Sequence, residues 1–126
     1  MKKLYMVGLV VCLLTLASGC SDEESDDVVC TDEARASVVV RVVDATGAPL
    51  PGAMVTYRVD RGPRQSAECS ELPGTCTHFV AGFEVAGDFT IRAERAGFQP
   101  ATASIRVERD VCHVRTQELL LTLVPA

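Results

Sequence analysis

Tryptophan and asparagine are absent from this 126-residue chain, histidine occurs twice, and the only lysines are Lys2 and Lys3. Each shortage removes a class of function. With no tryptophan and only Tyr57 as tyrosine beyond the first residues, an aromatic platform for stacking sugars has few components. A body without lysine or asparagine cannot form Lys–Asn isopeptide crosslinks. The two histidines, His78 and His113, stand singly and no cysteines have C-x-x-C spacing, so no zinc set is assigned. Glycine-rich phosphate loops, a nucleophile-elbow serine and calcium-loop spacing are also missing. His113 follows Cys112 directly, but strand neighbours point to opposite faces, so the pair is read as a disulfided cysteine beside a surface imidazole. No catalytic residue, metal or cofactor is expected.

What is present begins with a seam, "LTLASGCSDEESDDVVC". Lys2 and Lys3 precede fourteen uncharged residues, Leu4 to Ala17. As a helix these would span roughly 21 Å, short of the ~30 Å hydrocarbon core. A basic start, a short apolar middle and small residues before a cut mark a secretory signal peptide over residues 1–19. Its end, Ala17-Ser18-Gly19-Cys20, resembles the lipobox of bacterial lipoproteins, although that family prefers Leu where Ala17 stands. The resemblance implies a diacylated Cys20 as first mature residue, and two or more acyl chains would hold it stably in a membrane. A plain signal peptide with an incidental Cys20 is the competing reading. Residues 21–29 carry five acids and no base, too little apolar area to order themselves, so residues 20–35 read as a lipidated cysteine and a solvated tether. Ser21 after the lipid cysteine favours the outer membrane of a bacterial envelope if the enterobacterial sorting rule applies.

Without residues 1–19 the chain keeps ten arginines against seventeen acids, seven of them between Asp22 and Glu33. From Ala36 onward ten acids face nine arginines, a near-neutral body with no overall basic character for nucleic acid. About 90 residues make one small domain, 36–126, whose core benefits from staples. Cys30, Cys69, Cys76 and Cys112 supply an even count, and two disulfides in an exported domain.

The body alternates with period two. "AMVTYRVD" sets Ala53, Val55, Tyr57 and Val59 on one face, and "GDFTIRAE" sets Phe89, Ile91 and Ala93 inward against Thr90, Arg92 and Glu94. "SVVVRVVD" places Val38, Val40 and Val42 inward, with Val39, Arg41 and Val43 opposite. "ATASIRVERD" and "QELLLTLVPA" add Ala103, Ile105, Val107 and Leu119, Leu121, Leu123. Gly/Pro turns separate these segments. The pattern predicts an all-β, seven-stranded antiparallel sandwich with strands near 37–44, 53–60, 65–69, 75–81, 87–95, 101–108 and 113–124. If consecutive strands alternate in direction, Cys30 and Cys112 fall at one end and Cys69 and Cys76 at the other. A disulfide tolerates only about 4.4–6.8 Å between Cα atoms, so the pairs are Cys30–Cys112 and Cys69–Cys76.

"VVVRVVDATGAPLPGAMVTYRV" and "GDFTIRAERAGFQPATASIRV" resemble the carboxypeptidase regulatory-like domain, a transthyretin-like (prealbumin-like) sandwich. The matching positions are Gly47, Pro49, Leu50, Gly52, Ala53 and Val55, then Gly87-x-Phe89 and Gly97-Phe98. The family's frequent Asp-Gly-x-[Phe/Tyr] unit is replaced here by "TCTHFVAGFEVAGDF". The resemblance implies a Greek-key sandwich and, for one branch of the fold, hydrolysis of a purine-catabolism intermediate. That branch ends in Tyr-Arg-Gly-Ser, which "LTLVPA" does not match. The expected function is therefore a non-enzymatic protein-binding or scaffolding module, attached to the membrane through its lipid, with an envelope protein as partner and no nucleic acid. A carbohydrate-binding module and a transthyretin-like hydrolase are the rivals. Residues 61–67 and 82–87 are the expected contact loops.

Overall fold

The computed structural model describes residues 28–72 and 74–126. The signal segment, Cys20 and residues 21–27 of the tether lie outside them. Seven strands follow in chain order: β1 (Ala36–Val43), β2 (Met54–Val59), β3 (Gln65–Ser66), β4 (His78–Phe83), β5 (Gly87–Glu94), β6 (Ala101–Val107) and β7 (Gln117–Thr122). Runs of valine in β1 and alternating Phe, Ile and Thr in β5 suit a pleated, half-buried surface. The turn after β1 is closed by Asp44, whose Oδ1 accepts the Thr46 N–H at 2.8 Å and the Ala48 N–H at 3.1 Å. Gly87 opens β5 with a φ of 143°, where an added Cβ would lie 2.9 Å from Val59 Cγ1. Only glycine lets β5 start that close to β2.

Two sheets result, one ordered β4-β1-β7 and the other β3-β2-β5-β6. Four strand pairs are antiparallel, but β1 and β7 run parallel, from Val38↔Gln117 to Val43↔Thr122. The expectation of a wholly antiparallel sandwich is corrected here. The reason is strand direction: when strands alternate along the chain, the first and seventh point the same way. Seating them side by side makes a parallel pair unavoidable.

The middle of the chain also departs from its expected bounds. Segment 75–81 is replaced by β4 at His78–Phe83, and β3 shrinks to two residues. Cys69 and Cys76 are disulfide-bonded, Cα–Cα 6.1 Å, and Glu71 Oε1 accepts the Thr77 N–H at 3.2 Å, so the two ends of this segment are tied together. Just before it, Glu68 and Val80 exchange two N–H···O bonds of 2.8 Å each. There the chain passes from the four-stranded sheet to the edge of the three-stranded one.

The inward stripes meet between the sheets. Val38, Val40, Val42, Phe89, Ile91 and Leu123 have no exposed surface, and the Tyr57 ring stacks on Phe89 at 5.7 Å. Full burial of side chains of this size contributes about 1.5–3 kcal/mol each. Val43, expected outward with Val39 and Arg41, is only 3% exposed. The turn after β1 folds back to pair Val43 with Pro49, and the Leu123 N–H donates to the Val43 carbonyl at 2.9 Å.

Candidate functional site

One pole of the sandwich gathers residues 30–35, the β4–β5 turn and the loop between β6 and β7. Cys30 and Cys112 are disulfide-bonded there, Cα–Cα 5.3 Å across 82 residues of sequence. The bond is joined by a polar network centred on Glu84, a partly buried carboxylate at a positive φ of 57°. Glu84 Oε2 accepts the Arg35 N–H at 2.9 Å, and Oε1 accepts the Val114 N–H at 3.1 Å. The Arg109 guanidinium donates to the Glu84 carbonyl at 2.6 Å. His113 Nδ1 lies 2.5 Å from Oε2. The Arg35 N–H, followed by His113 and the Val114 N–H, holds the Glu84 carboxyl down at about 2, against an ordinary 4.5.

An ionised carboxylate only accepts, so Nδ1 carries the hydrogen in this pair. Nε2 on the other side of the ring lies 3.0 Å from the Thr31 hydroxyl. Hydroxyl, imidazole and carboxylate stand in the order of a hydrolytic relay. Beside them is an open cleft of about 380 Å³, lined by Val28, Val29, Thr31, Arg35, Val111 and His113. A relay also needs donors aimed at a developing oxyanion. The backbone N–H groups of Arg35 and Val114 go to Glu84, and those of Cys112 and His113 go to Asp110 Oδ1, each at 2.9 Å. These four donors are engaged in fastening segments to one another. Asp110 is held below the usual carboxylate range, first by the His113 N–H and then by that of Cys112.

His113, expected at the surface, is 7% exposed. The expectation assumed a strand from residue 113, whereas β7 begins at Gln117 and Asp110–His113 form a tight turn that tips the imidazole toward Glu84. Cys112 carries no thiol because its sulfur is bonded to Cys30. At the opposite pole Cys69, Glu71 and Cys76 bring ligand atoms within 4.8 Å of one another, but both sulfurs belong to the second disulfide. Cys20 lies outside the described residues. Segment 82–87, expected as a contact loop, exposes Phe83 and Val85 while its backbone is held in place. Gly82 and Phe83 belong to β4, and the Val85 N–H and carbonyl both bond the buried Ser37 hydroxyl, at 2.9 and 2.8 Å. The sequence carried one sign of this network: Glu84 is a lone acid between Phe83 and Val85, an arrangement that asks for a nearby partner.

No family model matches this chain, and no curated protein does. Among solved structures it is similar to 5-hydroxyisourate hydrolase of Klebsiella pneumoniae, at 17% identity and a TM-score of 0.46, covering 72% of this chain and 91% of that one. It is also similar to the C-terminal domain of the Caf1A usher, at 13% identity and a TM-score of 0.38, covering 70% and 96%. These are likenesses of a β-sandwich outline, and no residue role passes from either protein to this one.

Proposed function

We propose that this chain is a membrane-anchored lipoprotein of a bacterial envelope whose sandwich, of the carboxypeptidase regulatory-like kind, is a non-enzymatic protein-binding or scaffolding module. The observation that carries the reading is the double fastening of the tether's end. A covalent bond at Cys30 and the Glu84–His113 network lock residues 30–35 onto the folded body. A pull on the tether is then borne by the whole domain instead of fraying β1. Such a joint suits a domain held on a stalk.

The surface offered to a protein partner is the outward face of the β4-β1-β7 sheet. Val39 stands between Val80 and Glu118, and Arg41 between His78 and Leu120. Leu120 is 54% exposed on edge strand β7, so apolar contacts and an open strand edge lie together. The test is photo-crosslinking in cells from positions 80 and 120, alongside fractionation of Cys20→Ala. One dominant protein adduct and release of Cys20→Ala from membranes support the reading. Ester hydrolysis by the purified protein that disappears in both Thr31→Ala and His113→Ala would overturn its non-enzymatic part.

A further inference from the structure

The outward face of the four-stranded sheet is made of hydroxyls and guanidiniums. Its cross-strand rows are Ser66–Thr56–Arg92–Thr102, then Arg58–Thr90–Ser104, then Asp88–Arg106. The acids Glu94 and Asp88 on this face, and Glu108 just past the end of β6, are all engaged, Glu108 Oε2 lying 3.7 Å from Arg106 Nε. Arg92 Nε lies 3.3 Å from Glu94 Oε1, and Arg106 Nη1 lies 2.9 Å from Asp88 Oδ1. Asp60, at the same corner, is held by the Asp88 N–H, which donates to its Oδ1 at 3.0 Å.

That leaves the β2–β3 hairpin, "RVDRGPR", with three exposed arginines, Arg58, Arg61 and Arg64. Among the described residues none of the three has a carboxylate within salt-bridge distance. Extending the register Thr56↔Ser66 and Tyr57↔Gln65 by one residue sets Arg64 opposite Arg58. Arg64 Nη1 donates to Thr56 Oγ1 at 2.9 Å, which lays its guanidinium over the outward face. Like charges directly opposite one another destabilise a sheet, and a bound anion relieves that repulsion. Guanidiniums match carboxylates in a two-point fork.

We propose that this face, with Arg58, Arg61 and Arg64 at its corner, binds an acidic polysaccharide, a polymer of sugar hydroxyls bearing carboxylates. The surrounding side chains choose the partner class. Protein partners are held by buried aromatic or aliphatic anchors, and among the described residues the only large apolar side chain on this face is Met54, at one end. Thr56, Thr90, Thr102 and Ser104 supply instead a flat array of small donors and acceptors that complements sugar hydroxyls. The whole chain is acidic, net charge −5, so general attraction to a polyanion cannot substitute for this local patch. The inference uses neither the lipid anchor nor the opposite sheet.

The test uses the full mature chain with Cys20→Ala, so that no acyl group contributes, in native gels containing polygalacturonate, dextran or poly-L-glutamate. Polygalacturonate should retard the protein and dextran should not, and added salt should abolish the retardation because exposed charges are screened. Arg58→Ser and Arg64→Ser should weaken binding on the order of tenfold each, the worth of a hydrogen-bonded charge. Thr102→Val with Ser104→Ala should weaken it further. Arg95→Ser should change nothing, because Arg95 lies outside this face and packs over the Phe98 ring at 5.3 Å. No retardation by polygalacturonate, or equal loss in Arg95→Ser, overturns the site. Equal retardation by poly-L-glutamate overturns the polysaccharide assignment in favour of an acidic polypeptide. A cooperative melting transition in each variant establishes that it folds.

Discussion

Removing the disulfides one at a time should separate their effects by loop length. Cys30–Cys112 closes 82 residues of sequence and Cys69–Cys76 closes seven. A crosslink stabilises mainly by restricting the unfolded chain, by an amount that grows with the logarithm of the loop. The long bond is then worth about 4.5 kcal/mol and the short one about 2.5 kcal/mol. In a domain of this size each kcal/mol moves the melting temperature by about 4–8 °C. Cys30→Ser/Cys112→Ser should therefore melt roughly 20–35 °C below the parent, and Cys69→Ser/Cys76→Ser roughly 10–20 °C below it. Far-UV circular dichroism against temperature and urea is the assay, since the chain has no tryptophan to report unfolding. The long bond also holds Thr31 and His113 in register, so its loss has a second route to instability that widens the gap. Equal losses in the two double variants, or a larger loss from the short loop, would refute the reasoning.

Three further outcomes follow from the core, a tight turn and the polar network. Phe89→Ala removes a fully buried ring stacked on Tyr57 and should cost about 3–5 kcal/mol in urea unfolding. Gly87→Ala sets a methyl 2.9 Å from Val59 Cγ1 at a φ of 143°, and should destabilise by about 1–3 kcal/mol while Gly74→Ala, with open space around it, costs less. Glu84 has a folded-state pKa pushed down to about 2 from 4.5. Its contribution is complete above pH 4.5 and is lost as pH falls toward 2. Glu84→Gln should flatten the melting temperature against pH in that window, leaving the part owed to Asp44 and Asp110, which are also held low.

Strand existence was legible because half-buried strands write their faces into the chain with period two. Phe89, Ile91 and Ala93, and Leu121 with Leu123, occupy the core positions that alternation assigns them. Which strands become neighbours is not written that way. Nothing local to Val38–Val43 or Gln117–Thr122 states that they pair, and the parallel join of β1 with β7 comes from packing two sheets face to face. The bounds of β3 and β4 were obscured because a covalent loop at 69–76 overrides alternation. The polar pole was the least legible part. Thr31, Glu84 and His113 lie 29 to 82 residues apart and become a unit only when three loops meet at one end of the sandwich.

The parallel seam between β1 and β7 has a consequence for how the molecule reaches its native state. Its two strands begin about eighty residues apart, and β1 is the middle strand of its sheet. Until the last strand arrives, β1 has one neighbour and an open edge, and Leu121 and Leu123 are missing from the core. Folding cannot be completed piecemeal from the N-terminal side. Contacts of such long sequence separation place the chain among slow folders, on the order of milliseconds to seconds. The strand that locks the sheet is also the last of the seven to be synthesised, so the three-stranded sheet closes only after the other six strands have been made.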